Sequence, residues 1–196
     1  MTELTKGERT KQKLVAATGE LLRRQGFHAT GLADIIEESG APRGSLYFHF
    51  PGGKDELATA ALQAEGRQWR TRIEDVVAKA SDLGTAVTAI IDLLAADLEA
   101  SKFQHGCPVA AVALESTSEP VRKAIVAHYA AWETAIVDYA GKHGIAAGPA
   151  RQFAVFALSA IEGALLLARV QRSKAPLVTV GKALRAMLAM VAPSLK

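Results

Sequence analysis

The sequence predicts an all-α fold, with an N-terminal three-helix unit of helix-turn-helix type followed by a larger C-terminal helical body. Three observations carry that prediction. Apolar residues recur at helical spacing along almost the whole chain, and no alternating strand pattern bounded by turns interrupts them. The stretch from Thr30 to Leu57, TGLADIIEESGAPRGSLYFHFPGGKDEL, reads as two short helices joined by a tight glycine turn. With 196 residues and 49% hydrophobic side chains, the chain has material for a sizeable core and room for a small domain joined to a larger one.

Each element follows from local pattern. Leu14, Ala17, Thr18, Leu21 and Leu22 make the stripe of a first amphipathic helix, which Gly26 ends. Leu32, Ile35 and Ile36 form a shorter stripe, Ser39-Gly40 breaks it, and Pro42 suits the first position of the next helix because its φ is already helical. On that helix Leu46 and Phe50 are four apart and point inward, leaving Arg43, Ser45, Tyr47, Phe48 and His49 on the exposed surface and its margins. A long helix is expected from Lys54 to about Ala80, with Asp55 and Glu56 in its first turn and Leu57, Leu62, Trp69 and Ile73 along it. Ser81-Asp82 caps the next, carrying Val87, Ile91, Leu94 and Leu98 inward; Phe103 to Gly106 breaks it. A short helix follows to Glu115, and another starts at Ser118-Glu119-Pro120. The helix from Pro149 to about Arg172 is apolar almost all round, and a last one after Pro176 presents Leu177, Val180, Leu184, Met187, Leu188 and Val191. The domain boundary is read as residues 1–53 and 54–196.

The motif carries a definite chemistry. In a helix-turn-helix the second helix enters the major groove of DNA with its N-terminal residues at base edges. Arg43 is placed for that role, Gly44 lets a backbone approach closely, and an exposed Tyr47-Phe48-His49 run is costly in water unless something covers it. Plugging a small three-helix core is the alternative for Tyr47 and Phe48. Lys54 is read as a phosphate clamp or a solvated lysine. The net charge of +3, with a pI near 9.1, does not by itself imply nucleic acid, but Lys6, Arg9, Lys11, Lys13, Arg23 and Arg24 gather at the N-terminal end.

From Arg9 to Leu57 the chain resembles the DNA-binding domain of the tetracycline-repressor-like (TetR) family of transcriptional regulators. The match runs through Leu14, Ala17, Leu21, Leu22, Gly26-Phe27, Thr30, Asp34, Ile35, Gly40, Leu46, Tyr47, His49, Phe50, Lys54 and Leu57. The PGGK spelling at Pro51–Lys54 and the later Gly106-Cys107-Pro108 are similar to the LmrA/YxaF-like branch. Gly31 and Pro42 stand where many members carry hydroxyl residues, so phosphate contacts there are limited to backbone groups. The resemblance implies DNA-facing roles for Thr30, Arg43, Gly44, Ser45, Tyr47, His49 and Lys54. It further implies a ligand-binding and dimerisation domain, and a repressor that leaves its operator when an apolar or aromatic compound binds.

The residues themselves are compatible with that. Trp69, Phe103, Cys107, His128, Trp132 and Phe156 fall on helices able to converge as a pocket wall, or equally as plain core. Glu162, a carboxylate on the apolar helix, needs a partner and is read as a ligand contact or a response to a helix break. A helix apolar on every face needs neighbours on both sides, and a second copy is the simplest one. A two-fold dimer would present two recognition helices roughly 34 to 36 Å apart and require a near-palindromic operator. No cofactor or metal site is expected, since a single cysteine excludes an internal disulfide and a multi-cysteine metal cluster. No 18-residue apolar run free of charge and no apolar N-terminal signal core is seen, so a cytoplasmic rather than membrane location is expected. Rival readings are an enzyme using Cys107 with His105 or His128, a thiol redox sensor at Cys107, and a nonspecific DNA-coating protein.

Overall fold

The computed structural model describes residues 4–191, and among these every regular element is an α-helix. In chain order they are α1 (Lys6–Gln25), α2 (Leu32–Ser39), α3 (Arg43–His49), α4 (Gly53–Val77), α5 (Leu83–Ala100), α6 (Pro108–Glu115), α7 (Glu119–Lys142), α8 (Ala147–Gln171) and α9 (Ala175–Val191). The side chain of Val191, expected on the inward row of the last helix, lies outside the described residues.

Helix ends are set by the chemistry the sequence supplies. Thr5 and Glu8 close a reciprocal capping box on α1: the Glu8 amide donates to Thr5 Oγ1 at 3.2 Å and the Thr5 amide to the Glu8 carboxylate at 2.7 Å. Asp82 does the same for α5, accepting from the Thr85 amide at 2.8 Å. Gly40 closes α2 at φ 61°, a left-handed conformation that disfavours any residue with a Cβ. Pro42 is the N-cap of α3, with φ −59° and extended ψ 138°, so Arg43 and not Pro42 is the first helical residue. Gly31 brings no capping side chain to α2, and Asp34 supplies half of the missing box by accepting from the Gly31 amide at 3.0 Å.

The chain folds as two compact units. One comprises Met1–Gln68 with Cys107–His128, the other Trp69–Gly106 with Tyr129–Lys196. This division differs from the motif-based boundary at 53/54: α4 is continuous across it, and α6 with the start of α7 packs with the N-terminal helices. The first unit is centred on Leu14, Leu21, Ile35, Leu46, Phe50 and Leu57, flanked by Leu32 and Ile36. In the second unit α9 packs on both α5 and α8, burying Leu184 and Leu188 with Phe153 in one cluster and Leu177 with Ile91, Leu98 and Ala168 in another.

Helix α8 is not enclosed on every side within a single chain. Phe153, Ala154, Ala157, Ala164 and Ala168 are buried, whereas Phe156, Leu166, Leu167 and Val170 are exposed. Its length and apolarity would allow it to cross a membrane, but Arg151, Glu162 and Arg169 interrupt it and its other face belongs to a protein core.

Three surface carboxylates make the fold sensitive to acid. Hydrogen bonds from Thr5 hold Glu8 below the usual carboxylate range, the Thr85 amide and the Ser81 hydroxyl do so for Asp82, and the Arg122 guanidinium for Glu119. A pKa lowered by folding contributes stability that is complete above the unfolded value and disappears as pH falls through the folded one. The melting temperature should therefore drop as pH falls below the ordinary carboxylate range. Calorimetric scans of a Glu8→Gln/Asp82→Asn variant should show a shallower decline than the parent chain.

Candidate nucleic-acid interface

Helix α3 has seven residues, one of which, Leu46, is fully buried; the following Phe50 is buried beside it. At about 100° per residue, Gly44 and Phe48 stand two positions either side of Leu46 and so project almost directly away from the core. Arg43 and Gly44 are exposed, Ser45 is half-buried, Tyr47 is 61% exposed and Phe48 81% exposed. This settles the alternative that Tyr47 and Phe48 plug the core, since both rings face solvent. His49 is half-buried, its ring turned toward Gly7 on the first turn of α1, where a Cβ would lie 3.7 Å from Cε1.

Contacts from α1 bring positive charge to this surface. Lys11 Nζ lies 5.6 Å from the Phe50 ring centroid, and the neighbouring Lys6, Arg9 and Lys13 are exposed on the same half of α1. Arg23 and Arg24 do not join them. Arg23 is held near Glu65 of α4 at 4.0 Å, and Arg24 near Glu38 of α2 at 3.7 Å. A cleft of about 340 Å³ between α1 and α2 is lined by Arg24, Gln25, Asp34, Glu37 and Glu38, and its three carboxylates would repel a phosphate backbone.

One DNA-facing assignment needs correction. Thr30 is fully buried, and its hydroxyl donates to the Gly26 carbonyl at 2.6 Å, so it ties the α1–α2 turn together and presents nothing to solvent. Lys54 leans over the Phe27 ring, with Nζ 4.3 Å from the centroid. Burial draws its ammonium below the usual lysine range, while the charges of Asp55 and Glu115 pull the other way.

Glu115, at the end of α6, is a residue that the sequence reading missed. Its carboxylate accepts from the His28 amide at 2.6 Å and lies against Gly26, where a Cβ would meet Oε1 at 2.5 Å. Gly26 itself adopts φ 82°, ψ −176°, a region nearly exclusive to glycine. Nothing local announces this contact, because 87 residues separate the two partners.

The residues expected to line a ligand pocket are divided between the two units. Trp69, Phe103, Trp132 and Glu162 are half-buried members of the second unit, whereas Cys107 and His128 belong to the first. Cys107 is the N-cap of α6, and His128 packs on α4, where a Cβ at Gly66 would sit 2.8 Å from Nδ1. Phe156, on α8, is 46% exposed. Within the second unit the Tyr129 hydroxyl donates to the Glu162 carboxylate at 3.2 Å. Arg72 stacks on Trp69 at 4.2 Å and pairs with Asp97 at 3.0 Å, and Arg70 donates to the Ala131 carbonyl at 3.4 Å.

A short helix with an outward aromatic and basic face, held by a three-helix core behind a glycine turn, defines a helix-turn-helix DNA-binding protein. Comparisons narrow the class. Residues 14–61 match the family model for bacterial regulatory proteins of the tetR family, and residues 84–183 that for the C-terminal domain of LmrA/YxaF-like transcriptional regulators. The chain belongs to the TetR family of transcriptional regulators, in its LmrA/YxaF-like branch. It is 32% identical over 171 residues to the HTH-type transcriptional regulator LmrA of Bacillus subtilis (strain 168), covering 86% of this chain and 91% of that one. An HTH-type regulator of Mycobacterium tuberculosis (strain ATCC 25618 / H37Rv) is 35% identical over 185 residues, covering 91% and 93%. Among solved structures, a TetR-family regulator from Cytophaga hutchinsonii shares the fold over 100% of both chains, with a TM-score of 0.83 at 22% identity. These proteins are regulators and not enzymes, which removes the reading of Cys107 as a catalytic nucleophile.

The Glu115 contact leads to a measurable consequence. The bond is exposed, so its net contribution is modest, about 0.5 to 1.5 kcal/mol. Glu115→Ala should destabilise the chain by that order and speed hydrogen exchange at the His28 amide, whereas Glu115→Gln should retain most of the protection. Chemical denaturation and amide exchange monitored by NMR check both.

Proposed function

We propose that the protein is a ligand-responsive transcriptional repressor that binds a near-palindromic operator as a homodimer and releases it when a small apolar or aromatic effector occupies the second unit. The observation that carries this reading is the outward face of α3, with Arg43, Gly44, Tyr47 and Phe48 exposed beside the cations of α1. Arg43 and Tyr47 contact base edges or phosphates, Ser45 and His49 serve at the margins, and Lys54 reaches phosphate by swinging off Phe27. Acting on chromosomal DNA, the protein works in the cytoplasm.

Dimer formation is supported by the uncovered stripe on α8. Phe156, Ser159, Gly163, Leu167 and Val170 recur every three or four residues on its exposed side, with Leu166 alongside, and nothing lies within 4 Å of a Cβ built on Gly163. A self-complementary face of this kind buries itself on its twin, and the two-fold axis then sets the separation of the recognition helices.

An effector site in the second unit is supported by Trp69, Phe103 and Trp132, all half-buried, with Glu162 as a fixed acceptor held by Tyr129. The later part of α4 is tied to α5 through Arg72–Asp97 and to α7 through Arg70–Ala131, so a ligand that shifts those helices shifts α4. Helix α4 continues into the first unit, which makes it the lever. A differential affinity of about 1 to 3 kcal/mol between the two arrangements changes operator affinity by roughly 5- to 150-fold.

Two variants test the reading. Tyr47→Ala should weaken binding to the operator roughly tenfold or more at fixed salt while leaving the melting temperature unchanged. Leu167→Glu should yield a monomer in sedimentation equilibrium and lose operator affinity with α3 intact. Undiminished gel-shift affinity for Tyr47→Ala, or a monomeric parent chain at micromolar concentration, counts against the proposal. Competition with random duplex separates sequence-specific repression from nonspecific coating.

A further inference from the structure

Phe48 is the most outward residue of α3 and 81% exposed, and it has no hydrogen-bonding atom with which to reward that position. Its ring is set edge-to-face against His49, at 5.0 Å between centroids and 81° between planes, while His49 itself faces Gly7 of α1. One turn earlier on the same side is Gly44, with no atom within 4 Å of a Cβ built there, so the helix has a notch beside the phenyl ring. Whatever meets this face can approach the backbone at Gly44 and must offer an apolar group at Phe48.

Duplex DNA offers one such group in the major groove. Every other feature on the base edges there is a hydrogen-bond donor or acceptor, and the C5-methyl of thymine is the apolar exception. Resting on the operator-binding reading above, we infer that Phe48 is a specificity-determining residue that selects thymine by contact with its C5-methyl group. Tyr47 and Arg43, four residues apart on one flank of Phe48, carry donors and contact polar edges and phosphates. The Phe48 ring discriminates between thymine and cytosine by packing alone. A hydrogen-bonding side chain at this position would lose that selectivity.

The test removes the methyl group without altering base pairing. Operator duplexes are first recovered by selection from a randomised pool with the full-length chain, then each thymine is replaced singly by deoxyuridine. Burial of one methyl group is worth about 0.8 kcal/mol, so the parent chain should lose roughly fourfold in affinity at one thymine position in each half-site, and about fifteenfold when both are replaced. Phe48→Ala should bind thymine and uracil operators equally, and Phe48→Leu, which keeps an apolar side chain, should retain most of the sensitivity. Both variants should melt at the parent temperature, because the ring lies outside the core.

Indifference of the parent chain to uracil at every position overturns the inference, as does full sensitivity in Phe48→Ala; in either case an enriched sequence still upholds the operator reading. Failure of the pool to yield any enriched sequence defeats the operator reading and this inference with it.

Discussion

A seven-residue helix cannot hold its own shape in water, because nucleation costs more than so few hydrogen bonds return. The outward surface of α3 therefore depends on Leu46 and Phe50, which are sunk into a core built from Leu14, Leu21, Ile35 and Leu57. Once Leu46 points inward, the 3.6-residue repeat leaves no choice for the rest: Gly44 and Phe48 face out, and Ser45 and Tyr47 flank them. Gly40 and Pro42 act on the same constraint from the other side. The left-handed turn at Gly40 reverses the chain, and the fixed φ of Pro42 starts α3 at Arg43, so the azimuth of every outward side chain is determined before DNA is met.

The unit that carries this surface is not the N-terminal motif alone. Residues 107–128 fall inside the stretch matched by the C-terminal family model, yet they pack with α1 and α4. Glu115 supplies a carboxylate to the His28 amide, and His128 lies on Gly66 of α4. Thr30 and Glu115 together account for the α1–α2 turn, one bonding the Gly26 carbonyl and the other the His28 amide. The turn is thereby bonded both within itself and to α6.

Features written in short-range pattern were legible in the sequence. The stripe on α1, the capping residue at Asp82, the break at Gly40 and the inward pair Leu46 and Phe50 each depend on residues within one or two helical turns, and each appears where expected. Long-range relations were not. A threonine after a glycine turn reads the same whether its hydroxyl faces solvent or the Gly26 carbonyl, and Lys54 gives no local sign that Phe27 will lie beneath it. Arg23 and Arg24 counted as part of a basic end until Glu65 and Glu38 were seen beside them. The outward azimuth of Phe48 was legible from its spacing to Leu46, although plugging the core stood beside it as the alternative.

Helix α8 shows how composition alone misleads about environment. Its apolar content would suit a lipid bilayer, a protein core or an interface, and what separates these is the pattern of what remains polar. Phe153, Ala157, Ala164 and Ala168 bury one side against α5 and α9, which a membrane span would not require. Glu162 is bonded to Tyr129, so the carboxylate is answered within the protein. Phe156, Leu167 and Val170 are left on an exposed flank, in a row punctuated by Ser159 and Gly163. Small residues at regular spacing let another helix approach closely, and under the dimer proposed above a second copy of α8 covers this row.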